Sequence, residues 1–208
     1  MIILNKTVTY GWEPAIRGMR NAMNSWHLSD STFVGGVNIG EKDHDLMMRL
    51  AKGGSSHSKY RRDIIVMVDI TAPLYWWKEF DTYKVGTVAL SCSTMHKIHA
   101  KEFTLNDFSH EKLNGLNRDI LKGTIGVLNY ERELFLKTKD KSHWDQMIQL
   151  LPSSYNQKRT VQLNYEVLAA IYPDRKHHKL DEWHKFCDWI ESLPYDELIT
   201  VKGKVSKQ

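Results

Sequence analysis

The run DIIVMVDIT at residues 63–71 constrains the fold most, because a stretch this rich in β-branched and apolar side chains predicts a buried β-strand. Pro73 ends the run and suits the first turn of a helix. In that helix Trp76, Trp77 and Phe80 would share one side, and we expect the two tryptophans to be buried.

Helical periodicity dominates the rest of the chain. It predicts helices at residues 15–26 after Pro14, 45–52 before Gly53, 113–137, 143–151, 159–172 and 179–193. The predicted class is therefore α/β (α+β), with a mixed β-sheet flanked by helices. With no internal repeat or low-complexity linker, we expect one domain over residues 1–208, with 201–208 as a flexible tail that carries Lys202, Lys204 and Lys207.

Composition excludes several classes of protein. The chain is 41% hydrophobic and 26% charged, as is typical of soluble globular proteins. No signal peptide and no apolar run of about 18 residues is visible, so we expect no membrane association. Cys92 and Cys187 are too few for a disulfide framework and predict free thiols in the cytoplasm. The net charge of +4 favours anionic ligands such as nucleotides but is too small to predict nucleic-acid binding.

Common catalytic motifs are absent from the sequence. It contains no G-x-S-x-G, no P-loop and no G-x-G-x-x-G. His96 and His99 form an H-x-x-H pair, but no third ligand follows in pattern, so we interpret them as surface histidines and expect no metal site. Cys92 precedes His96 by four residues, a spacing that does not by itself make a nucleophile pair.

The C-terminal third contains a more specific pattern. Pro152 is followed after twelve residues by Asn164, and Asn164 after eleven by Arg175. This arrangement resembles the flavin-dependent thymidylate synthase family, in which a Leu-Pro element leads into a helix with an Asn-x-Arg-x-Leu motif and a later arginine. Asn164, Leu168 and Arg175 match that pattern, whereas Glu166 stands where the family has its first arginine.

The resemblance extends upstream and covers residues 57–183. Gly54 to His57 precede the strand, as a Gly-His segment does in the family, and the signature R-H-R-x-x-S-x-N-E-x-S-x-R-Y then aligns with residues 82–95. Lys84 retains a positive charge and Thr87 a hydroxyl, and Cys92 takes the place of the second serine. Thr82 and Thr94 stand where the signature has arginines, and Leu90 stands where it has the glutamate.

The resemblance implies methylation of dUMP to dTMP with FAD as cofactor and NADPH and methylenetetrahydrofolate as co-substrates, in a cytoplasmic homotetramer. It implies that Arg175 is catalytic and binds the uracil ring, and that Thr87 and Cys92 also contact the nucleotide. His57, Lys84 and Asn164 would contact the flavin, with Lys84 near phosphate. The alternative is a diverged, non-synthase homologue that binds another nucleotide or flavin, or a non-catalytic interaction protein.

The lost arginines predict weakened flavin binding. Arginine binds phosphate through a planar fork of donors that threonine cannot reproduce, and each hydrogen bond to a charged group is worth about 1.5–3 kcal/mol. The aromatic cluster, which we define as Tyr75, Trp76, Trp77, Phe80 and Tyr83, has two interpretations: core or subunit-interface packing, or a stacking wall for a flavin or base.

Overall fold

The structure, a computed structural model, describes residues 1–201, so the three lysines of the predicted tail lie outside the described residues. Four strands form one antiparallel sheet in the order β1-β2-β4-β3. Their bounds are β1 Ile3–Tyr10, β2 Ile65–Pro73, β3 Val88–Ser91 and β4 Asn156–Asn164. The predicted α/β class, with a sheet flanked by helices, is confirmed.

Helices make up most of the remaining regular structure of residues 1–201. They are α1 Trp12–Met19, α2 Glu41–Lys52, α3 Leu74–Phe80, α4 Thr94–Lys97, α5 Gly115–Thr138, α6 Lys141–Leu150, α7 Tyr165–Arg175, α8 Asp181–Glu191 and α9 Glu197–Thr200. Within the described residues, no helix is long and apolar enough to cross a membrane.

The predicted buried strand is confirmed as β2. Alternate residues Val66, Val68, Ile70 and Ala72 are at most 1% exposed, as expected of a strand with one face in a core. The predicted helix at 159–172 is wrong in its first half, because residues through Asn164 belong to β4. Val161 and Leu163 are buried while Gln162 is exposed, which is the alternation of a strand. The helical spacing of the apolar residues after Asn164 led the prediction to extend the helix back over this strand.

The helix predicted at 15–26 is shorter than expected. It ends at Met19, and the chain continues through two short 3₁₀ turns, Asn21–Met23 and Trp26–Leu28. Directly after the helix, Arg20 Nε donates to the buried Asp43 carboxylate at 2.6 Å and anchors the chain there. Met23 is consequently 81% exposed instead of lying on the expected apolar face.

The described chain divides into two compact units, while the single domain expected from the sequence stays a prediction. Unit 1 comprises Met1–Ile3, Ile70–Thr82 and Leu90–Thr160, and unit 2 comprises Leu4–Asp69, Tyr83–Ala89 and the chain from Val161 onward. The core of unit 1 lies between α5, α6 and the preceding loop, and contains Ile98, Phe103, Phe108, Leu121, Ile125, Leu128 and Met147.

The aromatic segment of α3 is also buried in unit 1. Trp76 and Trp77 are 0% and 1% exposed, which confirms their predicted burial. The Trp77 indole N–H donates to the Gln157 carbonyl at 3.0 Å, and the Arg159 guanidinium lies 4.1 Å from the Trp77 ring centre. Burial this complete favours core packing over a stacking wall for these two rings.

Candidate functional site

Helix α7 organises the candidate site and lies in unit 2, as do the residues that contact it below. Asn164 caps the helix: its side-chain oxygen accepts from the Val167 backbone N–H at 3.0 Å. The cap explains why the helix begins here, because it satisfies one of the amides that the first turn leaves without an intrahelical partner. Asn164 is 9% exposed and thus held firmly at the end of β4.

The C-terminal end of α7 presents Arg175 between two aromatic rings. Its Nε donates to the Tyr83 hydroxyl at 2.8 Å. The centre of the guanidinium lies 4.5 Å from the Trp183 ring and 5.4 Å from the Tyr83 ring. Trp183 on α8 is fully buried and therefore a rigid support. These contacts fix the orientation of the guanidinium.

Sequence reasoning predicted neither contact of Arg175. It named Tyr83 only as part of the aromatic cluster, with a stacking wall as one of two interpretations, and Trp183 lay in the helix predicted at 179–193 without a site role. The contact between Tyr83 and Arg175 spans 92 residues, so no local spacing could have indicated it.

The segment 83–87 lies against the start of α7. Gly86 has a φ of +82°, and a Cβ at this position would lie 2.9 Å from Val167 Cγ2 and 3.2 Å from Asn164 Nδ2. Only glycine fits so close an approach with this backbone conformation. The Thr87 hydroxyl donates to the Tyr83 carbonyl at 2.6 Å and closes the segment into a turn, while Lys84 is exposed.

An arginine of the chain pairs with a carboxylate at the N-terminal end of α7. Glu166, at the family's arginine position, accepts from Arg61 Nε and Nη2, each at 2.7 Å. Ser58 Oγ donates to the other carboxylate oxygen at 3.1 Å, and Arg61 Nη1 donates to the Leu198 carbonyl at 2.9 Å. The side chains of Arg61 and Glu166 are only 9% and 19% exposed. The carboxylate at this position is therefore compensated within the chain.

Five of the six predicted site residues belong to unit 2. Asn164 and Arg175 mark the two ends of α7, Lys84 and Thr87 lie on the segment that packs against it, and the exposed His57 directly precedes Ser58. The sixth, Cys92, belongs to unit 1.

Cys92 is exposed and lines a polar cavity of about 360 Å³ within unit 1. The backbone around it is fixed, because Cys92 N–H donates to the Lys158 carbonyl and Gln157 Nε2 donates to the Cys92 carbonyl, both at 2.9 Å. An ion pair between Lys101 and Asp107 lies in the wall. The rest of the lining combines the apolar side chain of Ile3 and a second lysine, Lys158, with amides and hydroxyls, including Ser93, Thr94, Asn106, Tyr155 and Asn156.

A second cavity, of about 440 Å³, lies in unit 2 beyond the end of α7. It is lined by Lys176, His177, His178, His184 and Asp188. The His184 ring nitrogen bonds the His178 carbonyl at 2.6 Å, and His178 Nδ1 accepts from the Leu180 N–H at 3.2 Å. Lys176 in this lining is paired with Glu191, and Asp188 adds a carboxylate beside the three histidines.

The histidines of the H-x-x-H pair do not face one common point. His96 lies exposed on α4, whereas the His99 ring packs against Phe135 with ring centres 4.8 Å apart. Among residues 1–201, no three histidine, cysteine or acidic side chains come together as ligands for a metal ion.

The fold is similar to that of solved nucleotide enzymes. A flavin-dependent thymidylate synthase, ThyX from Helicobacter pylori, complexed with FAD and dUMP, aligns with a TM-score of 0.68 at 18% identity, covering 96% of this chain and 97% of that one. The UMP/dUMP methylase PolB from Streptomyces cacaoi, bound with 5-Br UMP, aligns with a TM-score of 0.64 at 14% identity, covering 100% and 97%. No protein-family model and no curated protein matches the sequence. The resemblance found in the sequence is thus confirmed at the level of the fold.

Proposed function

We propose that the chain binds a uridine monophosphate of the dUMP type and methylates carbon 5 of its uracil ring, with FAD as cofactor, methylenetetrahydrofolate as carbon donor and NADPH as reductant. The observation that supports this most is the fixed orientation of Arg175 between Tyr83 and Trp183. It is joined by the fold that the chain shares with ThyX and PolB, whose solved structures contain dUMP, 5-Br UMP or 5-Br dUMP.

Arg175 would act on the uracil ring electrostatically. Its guanidinium stays charged at every relevant pH, so it does not serve as a general acid or base. Directed at a uracil carbonyl, it stabilises negative charge that develops on the ring as carbon 5 attacks the one-carbon unit. Because Tyr83 and Trp183 already hold the cation, little reorganisation is needed when the charge appears.

The residues near the start of α7 fit a flavin dinucleotide. A pyrophosphate there would be repelled by Glu166, but Arg61 neutralises this carboxylate at 2.7 Å. Lys84 offers an exposed cation, and Asn164 and His57 offer hydrogen-bonding groups for the isoalloxazine. Bound FAD, once reduced by NADPH, supplies the hydride that turns the transferred methylene into a methyl group.

Thr87 and Cys92 complete the proposed set of nucleotide contacts. Thr87 is half-buried in its turn, and Cys92 is exposed at the cavity of unit 1, whose wall also contains Lys101, Asp107 and Lys158. A hydroxyl and a thiol can bind sugar hydroxyls and base edges but compensate a phosphate poorly. A cytoplasmic homotetramer stays the expectation from the resemblance.

The activity is tested by incubating the protein with dUMP, FAD, methylenetetrahydrofolate and NADPH and measuring dTMP by chromatography. We expect dTMP from the wild type and none above background from Arg175→Ala, with circular dichroism to confirm that the variant is folded. UMP is tested in parallel, since PolB is a methylase of both nucleotides. Binding of dUMP without turnover would contradict the synthase activity and support the diverged, non-synthase alternative.

Flavin binding is tested separately by titrating FAD and following the quenching of its fluorescence. With neutral Thr82 and Thr94, and Glu166 already paired, we expect an affinity weaker than nanomolar. Nanomolar affinity would contradict this expectation, because it requires phosphate contacts beyond Lys84.

A further inference from the structure

Gln157 on β4 is a buried residue of unit 1 that is bound at three points. It is 9% exposed. Its backbone carbonyl accepts from the Trp77 indole N–H at 3.0 Å, and its side-chain oxygen accepts from Arg159 Nε at 3.0 Å. Its side-chain NH₂ group donates to the Cys92 carbonyl at 2.9 Å. A buried amide with partners at both ends has one orientation, so Gln157 links Arg159 to Cys92.

The Arg159 guanidinium is itself fixed by two further contacts. Its Nη1 pairs with the Asp81 carboxylate at 2.7 Å, and its centre lies 4.1 Å from the centre of the Trp77 ring. The Arg159 side chain is only 13% exposed. Because the carboxylate and the ring define the plane of the guanidinium, its Nε–H reaches Gln157 in one direction.

This arrangement makes Arg159 the group that decides which end of the Gln157 amide faces Cys92. The Arg159 Nε–H is a donor, so it binds the amide oxygen and leaves the NH₂ group for the Cys92 carbonyl. The opposite orientation would set two donors against each other at Arg159 and two acceptors against each other at Cys92. Arg159 therefore determines a hydrogen bond of Cys92 that it does not make itself.

The hydrogen bond from Gln157 holds the chain directly after β3. The Cys92 N–H donates to the Lys158 carbonyl at 2.9 Å, so both backbone polar groups of Cys92 are bound to residues of β4. Cys92 lines the cavity of unit 1. The backbone from which its thiol extends is consequently fixed at the cavity wall, although the side chain is exposed.

We propose that Arg159 is a positioning residue for Cys92 in nucleotide binding and acts through the Gln157 amide. This role rests on the proposed function, in which Cys92 contacts the nucleotide. Arg159 needs no contact with the ligand. Because Cys92 is held in place before the ligand arrives, less conformational freedom is lost on binding.

The first test measures hydrogen exchange of the Cys92 amide, and Gln157→Glu is its main variant. A carboxylate still accepts from Arg159, and more strongly than an amide does, but it cannot donate to the Cys92 carbonyl and repels it. We expect the Cys92 amide to exchange at least tenfold faster than in the wild type. Arg159→Met leaves the Gln157 amide free to turn and should accelerate exchange about fivefold, as expected for one lost hydrogen bond.

Two controls separate this effect from a general loss of stability. The amide of Leu128, a fully buried residue of α5 in the same unit, is the reference within each protein and should exchange at an unchanged rate. Arg132→Met is the matched variant, because Arg132 Nε also donates to a backbone carbonyl of unit 1, that of His99, at 3.0 Å. It should leave the exchange of the Cys92 amide unchanged.

The second test measures how dUMP protects Cys92 from alkylation by iodoacetamide, followed by mass spectrometry. The buried Cys187 is the internal reference and should stay unmodified. We expect dUMP to slow the alkylation of Cys92 in the wild type. The dUMP concentration that gives half of the protection should rise about fivefold in Arg159→Met and at least tenfold in Gln157→Glu.

Faster exchange together with weaker protection would support the role of Arg159. Unchanged exchange of Cys92 in a folded Gln157→Glu protein would overturn it, and so would faster exchange with unchanged protection. No protection in the wild type would overturn the nucleotide contact of Cys92 and, with it, this role. A wild type that dUMP protects but that makes no dTMP would contradict the synthase activity alone.

Discussion

The two ends of α7 hold their arginines through different kinds of contact. At the start of the helix, the Arg61 guanidinium binds the Glu166 carboxylate at 2.7 Å, and both side chains are mostly buried. At the other end, the Arg175 guanidinium lies against Trp183 and Tyr83, which carry no charge. A carboxylate holds the first arginine, whereas two aromatic rings and a phenol hydroxyl orient the second.

This difference separates a structural arginine from a candidate ligand-binding one. A buried ion pair holds its surroundings together, but its field at a ligand is small because the two charges cancel. Aromatic rings that pack against a guanidinium fix the plane in which it can present its donors. We therefore place nucleotide recognition at Arg175 and assign Arg61 and Glu166 to the stability of unit 2.

The largest expected effect comes from breaking the neutral pair. Glu166→Ala leaves Arg61 charged and mostly buried without its carboxylate, and we expect it to lower the free energy of unfolding by about 3 kcal/mol. Chemical denaturation of both proteins measures the change.

Asp145→Ala is the matched control, because it breaks an exposed pair with Lys141 and should cost less than about 1 kcal/mol. If both variants lower the free energy of unfolding by the same amount, Glu166 does not hold Arg61 in place, and the difference drawn between the two ends of α7 is wrong.

A smaller effect is expected where segment 83–87 meets the start of the helix. Gly86→Ala combines a left-handed backbone with a Cβ 2.9 Å from Val167 Cγ2, and should destabilise the protein by about 2 kcal/mol. Gly54→Ala separates the strain of the backbone from the contact with Val167, because Gly54 has a φ of +89° but no atom within 4 Å of an added Cβ. If both variants lose the same stability, the close approach of Gly86 to α7 contributes nothing.

Tyr83→Phe should have the smallest effect on stability, under about 1 kcal/mol, because the ring and its contact with Trp183 are kept. Without the hydroxyl that accepts from Arg175 Nε, the guanidinium is less restricted, and we expect severalfold weaker dUMP binding. Tyr10→Phe, at an exposed tyrosine, is the control for binding. Unchanged dUMP affinity in Tyr83→Phe would show that this hydrogen bond does not orient the cation.

The sequence was informative where local pattern decides structure. The apolar run that became β2, the Asn164 to Arg175 spacing across α7, and the buried Trp76 and Trp77 each depend on neighbouring residues or on a regular period. The short exposed strand β3, with all four residues accessible, has no apolar alternation and could not be recognised.

The partners of the site residues could not be predicted for a different reason. Glu166 could be recognised as a replaced arginine, but its compensation by Arg61 joins residues 105 positions apart. The hydrogen bond between Arg175 and Tyr83 likewise joins residues 92 positions apart in the sequence. Contacts of this kind depend on how α7 packs within unit 2, which no spacing along the chain encodes.

The central claim is that Arg175 recognises the nucleotide, and calorimetric titration of the wild type and Arg175→Lys with dUMP tests it most directly. Lysine keeps the charge but cannot present two parallel donors or stack a planar group on Trp183. We predict that Arg175→Lys binds dUMP about ten- to a hundredfold more weakly, as expected for a lost hydrogen bond to a charged group worth about 1.5–3 kcal/mol. Equal affinities in the two proteins would contradict the claim and reduce Arg175 to a cation that stabilises the end of a helix.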